Sequence, residues 1–254
     1  MYEKEPCFLK EVLKKAYENC IQNEIFVSKK AEFDIVTNVD HAIERYVSEE
    51  IKRSFPSDLL HGEESHPDCR LSDRLWILDP IDGTFNFSTE SPHFGVQAAF
   101  WDQGAVQVSV IYLPKFDELY EAKRGCGAFC NGKRLSVSHR SVEKSIVSFG
   151  DFPHSRPDDV LDQKKLMDRA LEKISKVRMF GAASIDFCYL ASGKTEGVVL
   201  FTKNKWDIAP GWLLAQEAGA WSYSLDGSPY SFDSRGILSF HNEELHQVMT
   251  KGVF

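Results

Sequence analysis

The sequence predicts an α+β protein built from two unlike halves. Three patterns carry that reading: two amphipathic helices near the start, short strands joined by turn signals in the middle, and strands alternating with helices beyond residue 140. The 254 residues suffice for one or two domains with a sizeable core. The polar stretch 138–144 is the expected boundary, giving an N-terminal α+β unit over 1–140 and a C-terminal α/β unit over 141–254.

Phe8, Leu9, Val12, Leu13, Ala16, Tyr17, Cys20 and Ile21 recur at helical spacing with Lys and Glu between them, so the first helix turns this stripe to the core. In KAEFDIVTNVD (30–40), Ile35 and Val36 read as a short extended piece. Thr37 follows as an N-cap, with Asp40 at N3 to complete a capping box. The helix after it carries Ala42, Ile43, Tyr46, Val47 and Ile51 and ends before Pro56. Leu59 and Leu60 lead into HGEES, and a polar link over 65–74 precedes LWILDPIDGTFNF. Residues 75–78 form a buried strand. Pro80, with no N–H to give, ends its regular pairing, and Gly83 permits a turn or a tight helix start.

Strands follow at 94–100 and 105–113 around an Asp102-Gln103-Gly104 turn, then at 118–122. Asn131-Gly132 is a hairpin signal between 128–130 and 134–137, so the middle of the chain reads as an antiparallel sheet. Past the boundary come a strand (146–149), a helix (161–174, with Leu166, Met167, Ala170 and Leu171 inward) and a strand (177–180). A helix (185–191), a strand (197–201), a helix (208–218) and a strand (237–240) complete the alternation. Pro153, Pro157 and the charges around them read as a mobile or substrate-side loop.

Thirty basic against 38 acidic residues give a net charge of −8, which argues against broad nucleic-acid binding. No apolar run reaches membrane-spanning length, and the first ten residues do not read as a signal peptide. Cys7, Cys20, Cys69, Cys126, Cys130 and Cys188 form no CxxC pair and fit free thiols in a reducing cytoplasm. His41, His61, His66 and His93 are scattered without ligand spacing and read as surface or internally satisfied groups. The dinucleotide fingerprint, the phosphate-binding P-loop and the GxSxG nucleophile elbow are all missing.

The sharpest local feature is Asp79-Pro80-Ile81-Asp82-Gly83-Thr84, two acids three apart at the end of an apolar strand. One reading is a turn capped by Asp82. The other is chemistry: a buried carboxylate is costly unless paired, bonded or bound to metal, and N–H groups of a helix starting at Gly83 would suit a phosphate. Glu63 and Glu64 follow Gly62, Asp207 follows Trp206, and Asp40 follows Ile35-Val36-Thr37. Four chain junctions thus present acid, an oxygen-rich set that suits Mg²⁺ or Mn²⁺ rather than zinc.

WILDPIDGTFNF (76–87) and WDIAPGWLLAQEAGA (206–220), with GEES (62–65), DIVTNVD (34–40) and GAFCNG (127–132) in the same order, resemble the inositol monophosphatase family over nearly the whole chain. That family lies within the lithium-sensitive, Mg²⁺-dependent sugar and nucleotide phosphatases. The resemblance implies a layered αβαβα sandwich of the inositol monophosphatase and fructose-1,6-bisphosphatase type. It implies a first metal on Glu63, Asp79 and the Ile81 carbonyl, a second on Asp79, Asp82 and Asp207, and a third, looser ion sharing Glu63. Gly83 and Thr84 would meet the phosphate, with Asp82 and Asp207 beside it; Thr84 with Asp40 would help activate water, and Glu63 would orient it. Lys30 matches a lysine near the site in relatives, Glu64 follows Glu63 there, and Gly181, Ala182 and Ala183 match the segment that touches ring hydroxyls. The implied activity is inositol-1-monophosphatase, by attack of activated water on phosphorus, in a cytoplasmic homodimer.

One position departs. Many inositol-preferring relatives carry glutamate seven residues before the second-signature aspartate, and here it is Leu200. Either Leu200 only completes its strand, or the sugar pocket is altered. The altered pocket would favour fructose 1,6-bisphosphate, NADP or 3'-phosphoadenosine 5'-phosphate, with Lys203, Asn204, Lys205 or Arg156 available to a second phosphate. A regulatory, non-catalytic protein on the same fold is the alternative of another class. Trp101, Val106, Val108 and Tyr112 suit a core or a dimer interface equally.

Overall fold

The computed structural model describes residues 2–22, 24–32, 34–65 and 71–254. His66, Cys69 and half of the polar link (66–70) lie outside the described residues. The first half runs α1 (Lys4–Cys20), β1 (Val27–Ala31), β2 (Asp34–Thr37), α2 (Asn38–Ser54), β3 (Leu59–Gly62), β4 (Leu75–Asp82) and α3 (Thr84–Ser88). It continues with β5 (Gly95–Asp102), β6 (Ala105–Leu113), β7 (Glu118–Lys123), β8 (Gly127–Cys130) and β9 (Lys133–Arg134). The second half holds β10 (Ile146–Phe149), α4 (Pro157–Lys173), β11 (Lys176–Arg178), α5 (Ala183–Ala191), β12 (Gly197–Leu200), α6 (Lys205–Glu217), β13 (Trp221–Tyr223), β14 (Ile237–Phe240) and α7 (Glu243–Thr250).

Strands β3 to β9 form one sheet in chain order, with β3 parallel to β4 and every later pair antiparallel. A second sheet has the order β11-β10-β12-β14-β13. Its β10 is parallel to both neighbours and its β14 antiparallel to both.

Strand alternation sorts side chains into layers. From the first sheet, Trp76, Leu78, Ala98, Phe100, Val108 and Val110 pack with Leu9, Leu13, Ile43 and Val47 of α1 and α2. Leu75, Ile77, Ala99 and Ile111, on the opposite face, pack with Phe187 and Leu190 of α5, Leu213 and Leu214 of α6, and Val198 and Ile237 of the second sheet. That sheet's other face sends Val147, Phe149, Val199 and Leu238 against Leu166 and Ala170 of α4 and Leu245 and Met249 of α7. The order is helices, sheet, helices, sheet, helices, the layered αβαβα sandwich. Val106, Val108 and Tyr112 are buried within this single chain and Trp101 packs against its core, so they are core residues.

Several boundaries differ from the sequence reading. β4 does not stop at Pro80: pairing runs to Asp79↔Gln97, shifts register, and resumes at Asp82↔Gly95. Pro80 and Ile81 occupy the bulge, which tolerates a missing N–H. The strand expected over 134–137 ends at Arg134. Pro157 is not in a loop but opens α4, where the absent N–H costs nothing. Leu171 is 69% exposed on that helix, not inward. β1, β13 and α7 were not expected. β1 is exposed at all five positions and so shows no alternation, β13 is three residues long, and α7 buries only Leu245, His246 and Met249.

Candidate active site

The start of α2 fixes the first functional side chain. Thr37 Oγ accepts from the N–H groups of Val39 (3.2 Å) and Asp40 (3.4 Å). Asp40 returns the bond, its Oδ2 accepting from Thr37 N (3.0 Å) and from the Thr37 hydroxyl. This capping box immobilises a carboxylate that is fully buried. Its other oxygen faces the Thr84 hydroxyl at 3.2 Å, and that hydroxyl also lies 2.9 Å from the Ile81 carbonyl. Burial raises the Asp40 pKa above the ordinary carboxylate range.

Gly83 joins β4 to α3 at φ 84°, and a Cβ there would meet Ala182 Cβ at 2.9 Å and the Gly181 and His93 carbonyls at 3.1 Å. Glycine is required both by the left-handed turn and by the close approach of the 181–183 segment.

The bulge in β4 aims Asp79 and Asp82 into one pocket of about 280 Å³, which Glu63, at the end of β3, and Asp207, in the first turn of α6, also line. Gln97 donates to Asp79 Oδ2 at 3.3 Å, while the buried Asp79 Oδ1 has no hydrogen-bond partner. Asp82 accepts from the N–H groups of Ala183 (3.2 Å) and Ser184 (2.6 Å) and from the Ser184 hydroxyl, so it caps α5 from another element. Asp207 accepts from the Thr202 hydroxyl at 2.8 Å. Lys30 Nζ bridges Glu63 (2.9 Å) and Glu64 (2.8 Å), and Glu44 accepts from Glu64 N (2.8 Å) and Ser65 N (2.7 Å).

Ile81, Gly83, Thr84, Gly181, Ala182, Ala183 and Leu200 complete the expected set around this pocket, together with Asn204. Asp40 stands behind Thr84, and Lys30 and Glu64 stand behind Glu63. Lys203 and Lys205 do not line the pocket. Arg156 does not either, being held by Asp159 (2.6 Å) and by the Phe201 and Arg235 carbonyls. His61 is buried against Trp206, His93 packs on Phe116 and Phe180, and His41 is exposed, so none faces the pocket. Four partners escaped sequence reasoning: Ser184, Thr202, Gln97 and Glu44. No shared motif announces them, because each comes from a different element.

The carboxylates resist full ionisation together. Burial, then repulsion by Asp207, pushes Glu63 up to about 8 against the pull of Lys30. Burial, then Asp82, pushes Asp207 to about 7. Burial raises Asp82 to about 6, opposed by its Ser184 and Ala183 donors. Asp79 is raised well above the ordinary carboxylate range, by burial first and then by Glu63, Asp82 and Asp207. Among the described residues, no Lys, Arg or His side chain lines the pocket to balance them. A hard cation with oxygen ligands would, and the unpartnered Asp79 Oδ1 would serve as one of them. Among the described residues no three acids already converge into a metal-holding cluster, because Glu63, Asp82 and Asp207 are each turned to a protein donor. The donor set fits Mg²⁺ in chemistry, with those protein donors standing in for positive charge.

The chain resembles several known proteins. The model of the inositol monophosphatase family matches residues 8–253. A fructose-1,6-bisphosphatase/inositol-1-monophosphatase of Thermotoga maritima is 33% identical over 229 residues, covering 89% of this chain and 86% of that one. The Nus factor SuhB of Haemophilus influenzae is 35% identical over 242 residues, covering 94% and 90%. A solved inositol monophosphatase/NADP phosphatase complexed with Mg²⁺ and phosphate superposes with a TM-score of 0.80 at 27% identity, covering 96% of this chain and 91% of that one.

Proposed function

This chain belongs to the inositol monophosphatase family, and we propose that it is a Mg²⁺-dependent phosphomonoester hydrolase acting on a small phosphorylated alcohol. The observation that carries the reading is the group of four carboxylates around the unpartnered Asp79 Oδ1, with the Asp40–Thr84 pair beside it. Glu63, Asp79 and the Ile81 carbonyl would hold one ion, and Asp79, Asp82 and Asp207 a second; a third would share Glu63. Bound there, Mg²⁺ supplies Lewis acidity toward the phosphoryl oxygens and water.

The chain's own groups do the rest. The Thr84 hydroxyl has one proton and two acceptors, Asp40 and Ile81 O, so its oxygen is free to receive a hydrogen bond from an incoming water. As Thr84 takes up that proton it passes its own to Asp40, whose raised pKa makes it the better base. Gly83 has no side chain to cap α3, leaving the first N–H groups of that helix for a phosphoryl oxygen. Gly181, Ala182 and Ala183 bound the leaving-group side.

Leu200 is 4% exposed in the pocket wall and offers no acceptor to a polyol. Leu200→Glu is expected to raise the rate on inositol 1-phosphate relative to its competitors; an unchanged ratio of rates would refute that role.

The test is phosphate release with Mg²⁺ from inositol 1-phosphate, fructose 1,6-bisphosphate, NADP and 3'-phosphoadenosine 5'-phosphate, with Asp207→Asn as control. Turnover that the control abolishes supports the reading. A second reading, a regulatory protein on the same fold, is favoured by the relatives named Nus factor SuhB. Silence across the panel from folded protein whose melting temperature still rises with Mg²⁺ would select it. A homodimer belongs to the same family reading, and light scattering in solution tests it.

A further inference from the structure

Asp40 and Glu44 lie one turn apart on α2, so both project from the same face of the helix. Both are buried, at 0% and 1% exposure. Asp40 has its role at Thr84. Glu44 does not line the catalytic pocket, yet a carboxylate so deep in the fold is costly unless its oxygens are bonded. Each of them is: Oε2 accepts from Glu64 N at 2.8 Å and Oε1 from Ser65 N at 2.7 Å.

These two bonds grip the backbone of the turn that carries Glu63. The turn begins where β3 ends, and the parallel register Gly62↔Leu78 brings Glu63 and Asp79 to the same end of the two strands. The side chains of the turn are held separately, by Lys30 Nζ on Glu63 and Glu64. Gly62 adds a third contact with the helix. A Cβ there would meet the Glu44 carboxyl carbon at 2.6 Å and its oxygens at 2.7 and 2.8 Å. Gly62 does not lie in the left-handed region, so the close approach of Glu44, not backbone conformation, excludes a side chain.

We propose that Glu44 is a positioning residue for the metal centre: it sets the backbone of the 63–65 turn, and thereby the direction in which Glu63 presents its carboxylate to Mg²⁺. The proposal rests on the Mg²⁺-dependent phosphatase reading. It adds that one face of α2 fixes both the Asp40–Thr84 pair and the Glu63 side of the centre. Glu44 touches neither metal nor substrate and acts through two N–H groups. Groups that orient a metal ligand in this way are worth about tenfold to a hundredfold in metal affinity or activity.

Glu44→Gln tests it, because the amide keeps the shape but turns an NH₂ toward one of the two N–H donors. Mg²⁺ binding to the substrate-free chain, followed by titration calorimetry, is expected to weaken about tenfold to a hundredfold. The Mg²⁺ concentration for half-maximal phosphate release should rise by a similar factor, with kcat restored at saturating Mg²⁺ because Asp40 and Thr84 are untouched. Glu49→Gln removes the same charge from an exposed position on α2 and should leave Mg²⁺ affinity unchanged. Unchanged affinity in Glu44→Gln, even with a lowered melting temperature, makes Glu44 a structural residue only and overturns the proposal. Equal weakening by Glu49→Gln traces the effect to charge alone and overturns it too. If Glu44→Gln does not fold, Gly62→Ala replaces it. Displacing the carboxylate should weaken Mg²⁺ binding over the same range, and unchanged affinity again overturns the proposal. Wild-type chain that binds Mg²⁺ but hydrolyses no phosphate ester fails the phosphatase reading alone, and the calorimetric comparison still decides Glu44. Wild-type chain that binds no Mg²⁺ fails both.

Discussion

Asp79 Oδ1 has neither solvent nor a hydrogen-bond partner, which in a buried carboxylate is a state that needs a ligand. Asp207 shares the pocket, and Asp207→Asn keeps the shape and the Thr202 contact while removing charge. Turnover should fall by at least about a hundredfold, the scale of one preorganised electrostatic contact. Wild-type phosphate release from this variant would remove Asp207 from the metal set. Thr84→Ala should slow turnover roughly 10²-fold, the acid–base scale, while the Mg²⁺-induced rise in melting temperature persists. Loss of that rise would place Thr84 in the metal shell instead. At this scale the acids were legible because they stand at junctions where apolar runs stop. Ser184, which holds Asp82, was not, because a serine at a helix start reads as local capping. Only the fold brings α5 against the end of β4.

The capping box at Thr37 and Asp40 is an element whose role could be read directly, since both partners lie within four residues. It also carries chemistry, because the bonds that start α2 hold Asp40 toward Thr84. Thr37→Val should cost about 1–2 kcal/mol of stability, the usual price of a lost cap. It should also lower turnover, because Asp40 loses the hydroxyl that orients it; denaturant melts and rates on the same preparation check both. The packing of α5 on α6 was less legible. Gly211 lies inside a helical pattern, where glycine is ordinarily unfavourable, yet a Cβ there would stand 2.1 Å from the Phe187 ring. Gly211→Ala should therefore destabilise the protein by overpacking, about 1–3 kcal/mol, despite alanine's better helix propensity. A stabilised variant would mean that α5 and α6 can separate at no cost. The bulge at Pro80 and the exposed strand β1 stayed hidden for opposite reasons: one breaks a pattern without ending the strand, and the other has no pattern.

Across the whole molecule, the two sheets sandwich α5 and α6, and the catalytic pocket takes Asp79 and Asp82 from β4 and Asp207 from α6. Assembling the fold therefore concentrates carboxylates, and the metal-free protein bears the cost. Glu63 titrates at about 8, Asp207 at about 7 and Asp82 at about 6, all above the ordinary carboxylate range near about 4. A raised folded-state value means the native form binds more protons than the unfolded chain in that interval. The slope of unfolding free energy with pH is then negative. The contribution of these groups is fully present below about pH 4, where both states are protonated, and is lost as pH rises through the folded-state values of about 6 to 8. Without metal, the melting temperature should fall as pH is raised across that window. Mg²⁺ acts oppositely, because it binds the ionised carboxylates and must displace protons at low pH. At a hundredfold excess over its dissociation constant it would add about 2.7 kcal/mol where the acids are already ionised, and less where they hold protons. The Mg²⁺-induced rise in melting temperature should thus grow from mildly acidic to alkaline pH. Asp207→Asn, one buried charge fewer, should raise the metal-free melting temperature at the alkaline end and shrink the Mg²⁺ increment. Scanning calorimetry of both proteins across this range, with chelator and with Mg²⁺, decides the matter: a metal-free stability that climbs with pH would show that the four acids are individually satisfied and need no cation.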